Sequence, residues 1–361
     1  MKRIAIICVI LCTPLLINAQ TQIPTLDDLD HEIAMSSQYD KQYEDVIRSV
    51  KKQLHAAKTL EARCELSDKL FNLYTSYSVD SAIVYAMEKQ KIAKAMGNQS
   101  KVNDAKLNLA YLLIRGGELK DASDIINSIP RSGINQDLSF YYFSTRKTLY
   151  RTLADAALIP SQRKMYKQME KLCNDSVVDN NQSPDIWSRA EQLVNRQQYE
   201  QAKKILLDAY HHLKPGDRQT AFVSISLADI YGREKNVEAQ KQYLIAAAIS
   251  DIRNSVKEYL ALQQLAMILF EEGDTKRAYA YMDHAMNDAV FCNARQRTIA
   301  MADVWPAIEK SHERETKSRT LKLTAALVLI SLMSVFLLVM IIYTRRRVVE
   351  LRAIRARLSN T

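Results

Sequence analysis

Six histidines, His31, His55, His211, His212, His284 and His312, are where a catalytic or metal-binding reading of this chain would start. His31-Glu32 and His312-Glu313 each open the string that places two zinc-binding histidines one helical turn apart. Met35 and Thr316 stand where the second histidine is required. His211-His212 ends a helical stretch before Lys214-Pro215, where cations interact favourably with the helix terminus. The 7 glycines, Gly97, Gly116, Gly117, Gly133, Gly216, Gly232 and Gly273, cannot be arranged as GxGxxG or GxxxxGK, and no GxSxG occurs. Carboxylates are numerous but alternate with lysines on helical faces, the pattern of solvated surface. The expectation is therefore a protein that is not an enzyme and has no cofactor and no metal.

The elements that carry these residues are helical. Only 7 Gly and 7 Pro occur in 361 residues, which disfavours turn-rich sheet folds. Of the formal net charge of +9, the two ends hold most. Lys2 and Arg3 face no acid within residues 1–20, and six arginines oppose Glu350 alone in residues 344–361. The body, 21–343, is left at +2, too little for a nucleic-acid footprint.

Both ends read as membrane-directed. MKRIAIICVILCTPLLINAQ has the basic start, apolar run and small residue of a secretory signal peptide, expected over 1–19 with cleavage after Ala19. Residues 323–343, LTAALVLISLMSVFLLVMIIY, carry no charge and reach about 31 Å as a helix, the thickness of the hydrocarbon core. Arg345-Arg346-Arg347 follows directly and marks the cytoplasmic side. The expected location is the bacterial inner membrane: single-pass, body in the periplasm, basic tail (344–361) in the cytoplasm. Export would permit disulfides, but Cys64, Cys173 and Cys292 have no framework spacing, so buried thiols are expected, with one bridge possible.

Between the ends an alanine recurs after a tight polar connection: Ala122, Ala202, Ala239 and Ala278, with Ala82 a fifth lacking the glycine. The interval of 80 between Ala122 and Ala202 leaves room for a unit whose signature has decayed, at Asn135–Ala157 and Pro160–Asn174. Ala202, Leu206 and Ala209, Ala239, Tyr243 and Ala246, and Ala278, Met282 and Ala285 each share a helical face. Ala110, Ala190, Ala228 and Ala266 give the preceding helices a small side chain, so paired helices can approach closely. This pattern resembles the tetratricopeptide repeat over roughly Leu60 to Ala289, with Gly117-Glu118-Leu119 and Gly273-Asp274-Thr275 matching its connection. Gln197-Gln198-Tyr199 keeps the aromatic, and Lys235-Asn236-Val237 is one residue short.

The resemblance implies an all-α superhelical array of hairpins, 58–292, and the uncharged run 323–343 adds a single transmembrane helix after it. Residues 20–57 are expected as an N-terminal cap of a short and a longer helix, and 293–322 as a juxtamembrane helix kinked at Trp305-Pro306. The groove of such an array would bind a protein or peptide partner, with Tyr74, Tyr111, Arg115, Trp187, Asn195 and Tyr231 as candidate lining.

The layout also resembles single-pass membrane regulators of Bacteroidota. Leu29, Ile33, Tyr39, Glu44 and Ile47 match their start, and RRRVVELRAIRARLS their basic coiled coil, with Leu351, Ile354 and Leu358 at coiled-coil spacing. Their cytoplasmic helix-turn-helix has no counterpart before Thr361, so no direct nucleic-acid binding by this chain is expected. The implied role is transcription-linked sensing, with homodimerisation through the membrane helix and tail; a static envelope scaffold or adaptor is the alternative.

Overall fold

The computed structural model describes residues 24–180, 186–213 and 216–358. The expected signal peptide lies outside these residues. Among them every regular element is helical and no strand occurs. A long helix, α1 (Leu26–Ala56), precedes six hairpins: α2 (Leu60–Tyr74) with α3 (Val79–Ala95), α4 (Gln99–Gly116) with α5 (Leu119–Asn127), α6 (Gln136–Ala156) with α7 (Pro160–Asn180), α8 (Ile186–Asn195) with α9 (Tyr199–His212), α10 (Arg218–Arg233) with α11 (Val237–Arg253), and α12 (Ala261–Glu271) with α13 (Thr275–Cys292). A short α14 (Arg295–Ala302) and a long α15 (Trp305–Leu358) complete the chain.

One backbone feature ties four connections together. Gly117, Gln197, Lys235 and Gly273 all adopt the left-handed conformation, with φ of 85°, 61°, 61° and 89°. Each is followed by one residue and then the first residue of a second helix. Glycine takes this conformation without steric cost, whereas glutamine and lysine are held there by the packed hairpin. Aligned on that residue, Ala122, Ile126 and Ile129, Ala202, Leu206 and Ala209, and Ala278, Met282 and Ala285 form the same buried stripe.

In α11 the alignment corrects the sequence reading by one position. The equivalent stripe is Gln240, Leu244 and Ala247, of which Leu244 and Ala247 are buried and Gln240, like Ala239, is half-buried. Gln240 is accommodated because the residue it lies against is Gly232, where a Cβ would stand 2.7 Å from the Gln240 amide. The alanines of the first helices, Ala110, Ala190, Ala228 and Ala266, are all buried, as their spacing predicts.

The N-terminal segment differs from expectation. It is a single helix of 31 residues, opened by a capping box in which Thr25 and Asp28 satisfy each other's backbone N–H groups. No glycine or proline interrupts it, and it is clamped along its length. On one side the Tyr43 hydroxyl donates to the Leu73 carbonyl at 2.6 Å, and Tyr77 donates to Glu44 at 2.8 Å. On the other, Arg253 donates to Glu32 at 2.5 Å, Lys257 to Asp40 at 2.6 Å, and the Tyr281 hydroxyl to Asp30 at 2.7 Å. The cap thus also bridges to the last two hairpins. Leu29, Phe71, Leu244, Leu265 and Met301 consequently share one hydrophobic core. Two further cores fill α4–α6 and α8–α10.

Two buried lysines join neighbouring hairpins. Lys89 pairs with Asp68 of α2 and Asp104 of α4, and Lys147 reaches Glu191 of α8 at 2.8 Å. Burial alone would lower the pKa of Lys89, but the two carboxylates more than offset it and hold the ammonium charged. Cys64, Cys173 and Cys292 are free and buried, so no bridge forms among them.

At Trp305-Pro306 the expected kink is a helix start. α14 ends at Ala302 and α15 begins afresh with proline in its first turn, where the missing N–H costs nothing. From there α15 runs 54 residues without a break, about 80 Å at the rise of an α-helix. It is the one described helix long and apolar enough to cross a membrane, and its apolar stretch is fully exposed. Its first turns hold to α13: Ile308 is completely buried, and Tyr279 stacks on His312 at 4.1 Å and on Trp305 at 5.3 Å.

Candidate functional site

The turn between α2 and α3 and the irregular link between α11 and α12 meet where the array closes. The Lys257 backbone N–H donates to the Ser76 carbonyl at 2.7 Å, and Arg218 donates to the Ser76 hydroxyl at 3.0 Å. Arg115, near the end of α4, completes the junction. Its guanidinium donates to the Thr75 carbonyl at 2.6 Å, pairs with Glu258 of the link, and lies over the Tyr111 ring at 5.4 Å. The two charged side chains are 11% and 17% exposed, so the pair is largely withdrawn from water. Position in the helix explains the Tyr111–Arg115 contact, since residues four apart share a face.

Asp251, in the last turn of α11, faces the same centre. Its carboxylate has no hydrogen-bond or ion-pair partner among the described residues. Burial, and then the nearby Glu258 charge, push its pKa up to about 7, against the pull of Arg218 and Arg297. Tyr141 of α6 is affected from the same side: burial first, then Tyr111, raise its phenol well above the ordinary range. The result is a half-buried inner surface of two phenols, two carboxylates and several guanidinium groups. Such a surface can hydrogen-bond a polar partner segment and discriminate by charge.

Nothing there is arranged for nucleophilic chemistry. The Cys292 thiol is fully buried, and burial followed by Glu258 pushes its pKa up to about 12, which leaves it protonated and inert. No cluster of three metal-ligating side chains occurs among the described residues.

The structure brings together Tyr111 and Arg115 of the six candidate residues. Tyr74 lies next to the Thr75 carbonyl, but its ring is buried against Tyr85 at 5.6 Å, with Lys51 above it at 5.3 Å. Tyr231 stacks on Tyr243 at 5.5 Å within the α8–α10 core, under Lys203. Asn195 is exposed at the end of α8 and donates to Asn174 at 3.4 Å. The Trp187 side chain lies outside the described residues. Asp251, Glu258, Tyr141 and Arg297 were missed by the sequence reading. Glu258 sits in a link without periodicity, and the others look like ordinary helical surface.

Stacked helical hairpins with small residues at their contacts and left-handed turns between their helices define a tetratricopeptide-repeat protein, a non-enzymatic scaffold class that commonly binds protein partners. Residues 33–303 match the family model described as the SusR N-terminal TPR domain. The match covers well over half of the chain, which belongs to that family. No curated protein matches it.

Proposed function

We propose that the chain is a membrane-anchored sensing module, its repeat array in the periplasm, that binds a protein or peptide partner and passes the event through α15. The observation that supports this reading most is the rigidity of the exit. α15 is seated on the last hairpin by Ile308, Trp305 and His312 and continues as one helix through the whole apolar stretch. A rotation of α13 is thereby carried along a rod rather than lost in a linker. The inner surface around Arg115 and Asp251 is the proposed partner site, because its charges are only partly satisfied within the chain.

The cytoplasmic segment past Arg347 would then pair between two copies, consistent with its basic helical character, though so short a coiled coil is weak without help from the membrane helix. Cysteine scanning from Val348 to Arg352 in native membranes tests this. The reading predicts disulfide crosslinks at one helical face, and a shift of that face when two alanines are inserted after Thr320. Absence of crosslinks at every position, or a pattern indifferent to the insertion, favours a static scaffold.

A further inference from the structure

A cleft of about 1010 Å³ opens on the outer side of the first hairpin, between the end of α1, the start of α2 and the outward face of α3. None of its lining residues belongs to the Arg115 site, and nothing in the proposed sensing role uses it. Its apolar wall is unusual for a solvated helix: Val84 and Met87, one turn apart on α3, are 61% and 56% exposed. Tyr85 and the half-buried Leu54 continue this wall.

The charges around it are one-sided. Lys91 and Lys94 extend the Val84–Met87 stripe along the next turns of α3, both exposed and without an ion-pair partner among the described residues. Lys51 lines the α1 side, and Arg63 the α2 side. The one carboxylate lining the cleft, Glu88, is tied to Arg63 at 3.0 Å. A body carrying only +2 over 21–343 thus places three lysines, Lys51, Lys91 and Lys94, without an ion-pair partner among the described residues beside exposed apolar side chains. Lys94 also suits the negative end of α3. That accounts for one lysine and not for the exposed valine and methionine.

We propose that this cleft docks an acidic, amphipathic segment of a partner protein, whose apolar side chain sits on Val84 and Met87 while its carboxylates meet Lys91, Lys94 and Lys51. A protein segment fits better than an anionic membrane, because the apolar and basic side chains line a concave cleft shared by three helices, which a single inserted segment can fill and a planar bilayer cannot. The docking is independent of the Arg115 surface, so its failure leaves that proposal standing.

The full-length protein, in nanodiscs of neutral phosphatidylcholine, is titrated against a fluorescein-labelled dodecapeptide of Glu and Leu, with a Gln-for-Glu peptide as control. Expected are saturable binding of the acidic peptide only, weakening with salt, and a loss of about tenfold or more in K91E/K94E. M87S weakens binding as well, while R115A does not. Equal binding to wild type and K91E/K94E, or no binding of the acidic peptide, overturns the proposal. So does a result in which K91E/K94E abolishes attachment to phosphatidylglycerol vesicles but leaves the peptide unaffected, which would assign the surface to lipid.

Discussion

Arg115 is the most informative residue to remove, because it joins the second hairpin to the first through Thr75 and to the α11–α12 link through Glu258. In Arg115→Ala, Glu258 stays behind at 17% exposure, with the Asp251 carboxylate nearby and no other ion-pair partner among the described residues. Breaking a buried pair this way costs about 3–5 kcal/mol, and the residual exposure of both groups points to the lower end, about 3 kcal/mol. Loss of a donor to the Thr75 carbonyl contributes about 1 kcal/mol more. At about 2–4 °C per kcal/mol for a domain of this size, the array should melt roughly 10 °C lower.

Far-UV circular dichroism of the full chain in detergent reads this, since α15 in its micelle gives a constant background. The double variant R115M/E258L provides the control. With both charges replaced by apolar groups, no buried charge is orphaned, and the melt should recover most of the loss. In a repeat array held by nearest neighbours alone, the effect would stay in one hairpin. Here the first and last hairpins share a core, so a single cooperative transition should move as a whole. An R115A melt within about 2 °C of wild type, or one split into two phases, would refute the reasoning.

Three other outcomes follow from the same contacts. The raised pKa of Asp251 means that the folded chain holds a proton the unfolded chain releases near its ordinary value of 3.8. Stability therefore falls as pH rises from about 4 to about 7 and levels off above it. Asp251→Asn should match wild type at pH 4 and exceed it increasingly up to pH 7, read by melts across that range. Ile308→Ala empties a completely buried site under α15 and should cost about 3 kcal/mol in urea unfolding, with Trp305 fluorescence as the reporter. Gly117→Ala places a Cβ at φ 85°, 3.3 Å from the Gln296 side-chain amide, and should cost about 1 kcal/mol in the same assay.

Much of the second-helix stripe was legible because it is local. Ala202, Leu206 and Ala209 share a face for reasons written in steps of three and four residues, as do Ala278, Met282 and Ala285. The slip at Ala239 shows the limit of that reading. An alanine was present one position early, and only the left-handed Lys235 and the space over Gly232 reveal that Gln240 occupies the equivalent place. The candidate site was legible in part, through Tyr111 and Arg115. Asp251 and Glu258 carried no mark in the sequence, because an acidic residue on a helix looks the same whether it faces water or another hairpin.

The sequence by itself determined that the chain is helical and repeated, which faces of most second helices are buried, and that a charge-free stretch of 21 residues, 323–343, follows the array. These follow from periodicity and composition, which each segment carries alone. Only the tertiary structure decided that the array curls until α1 meets α11 and α13, so that Glu32 and Arg253, 221 positions apart, exchange a hydrogen bond. Small rotations at each hairpin add up to that closure. No single hairpin encodes their sum, so the residues that end up facing one another across it are chosen by the whole stack.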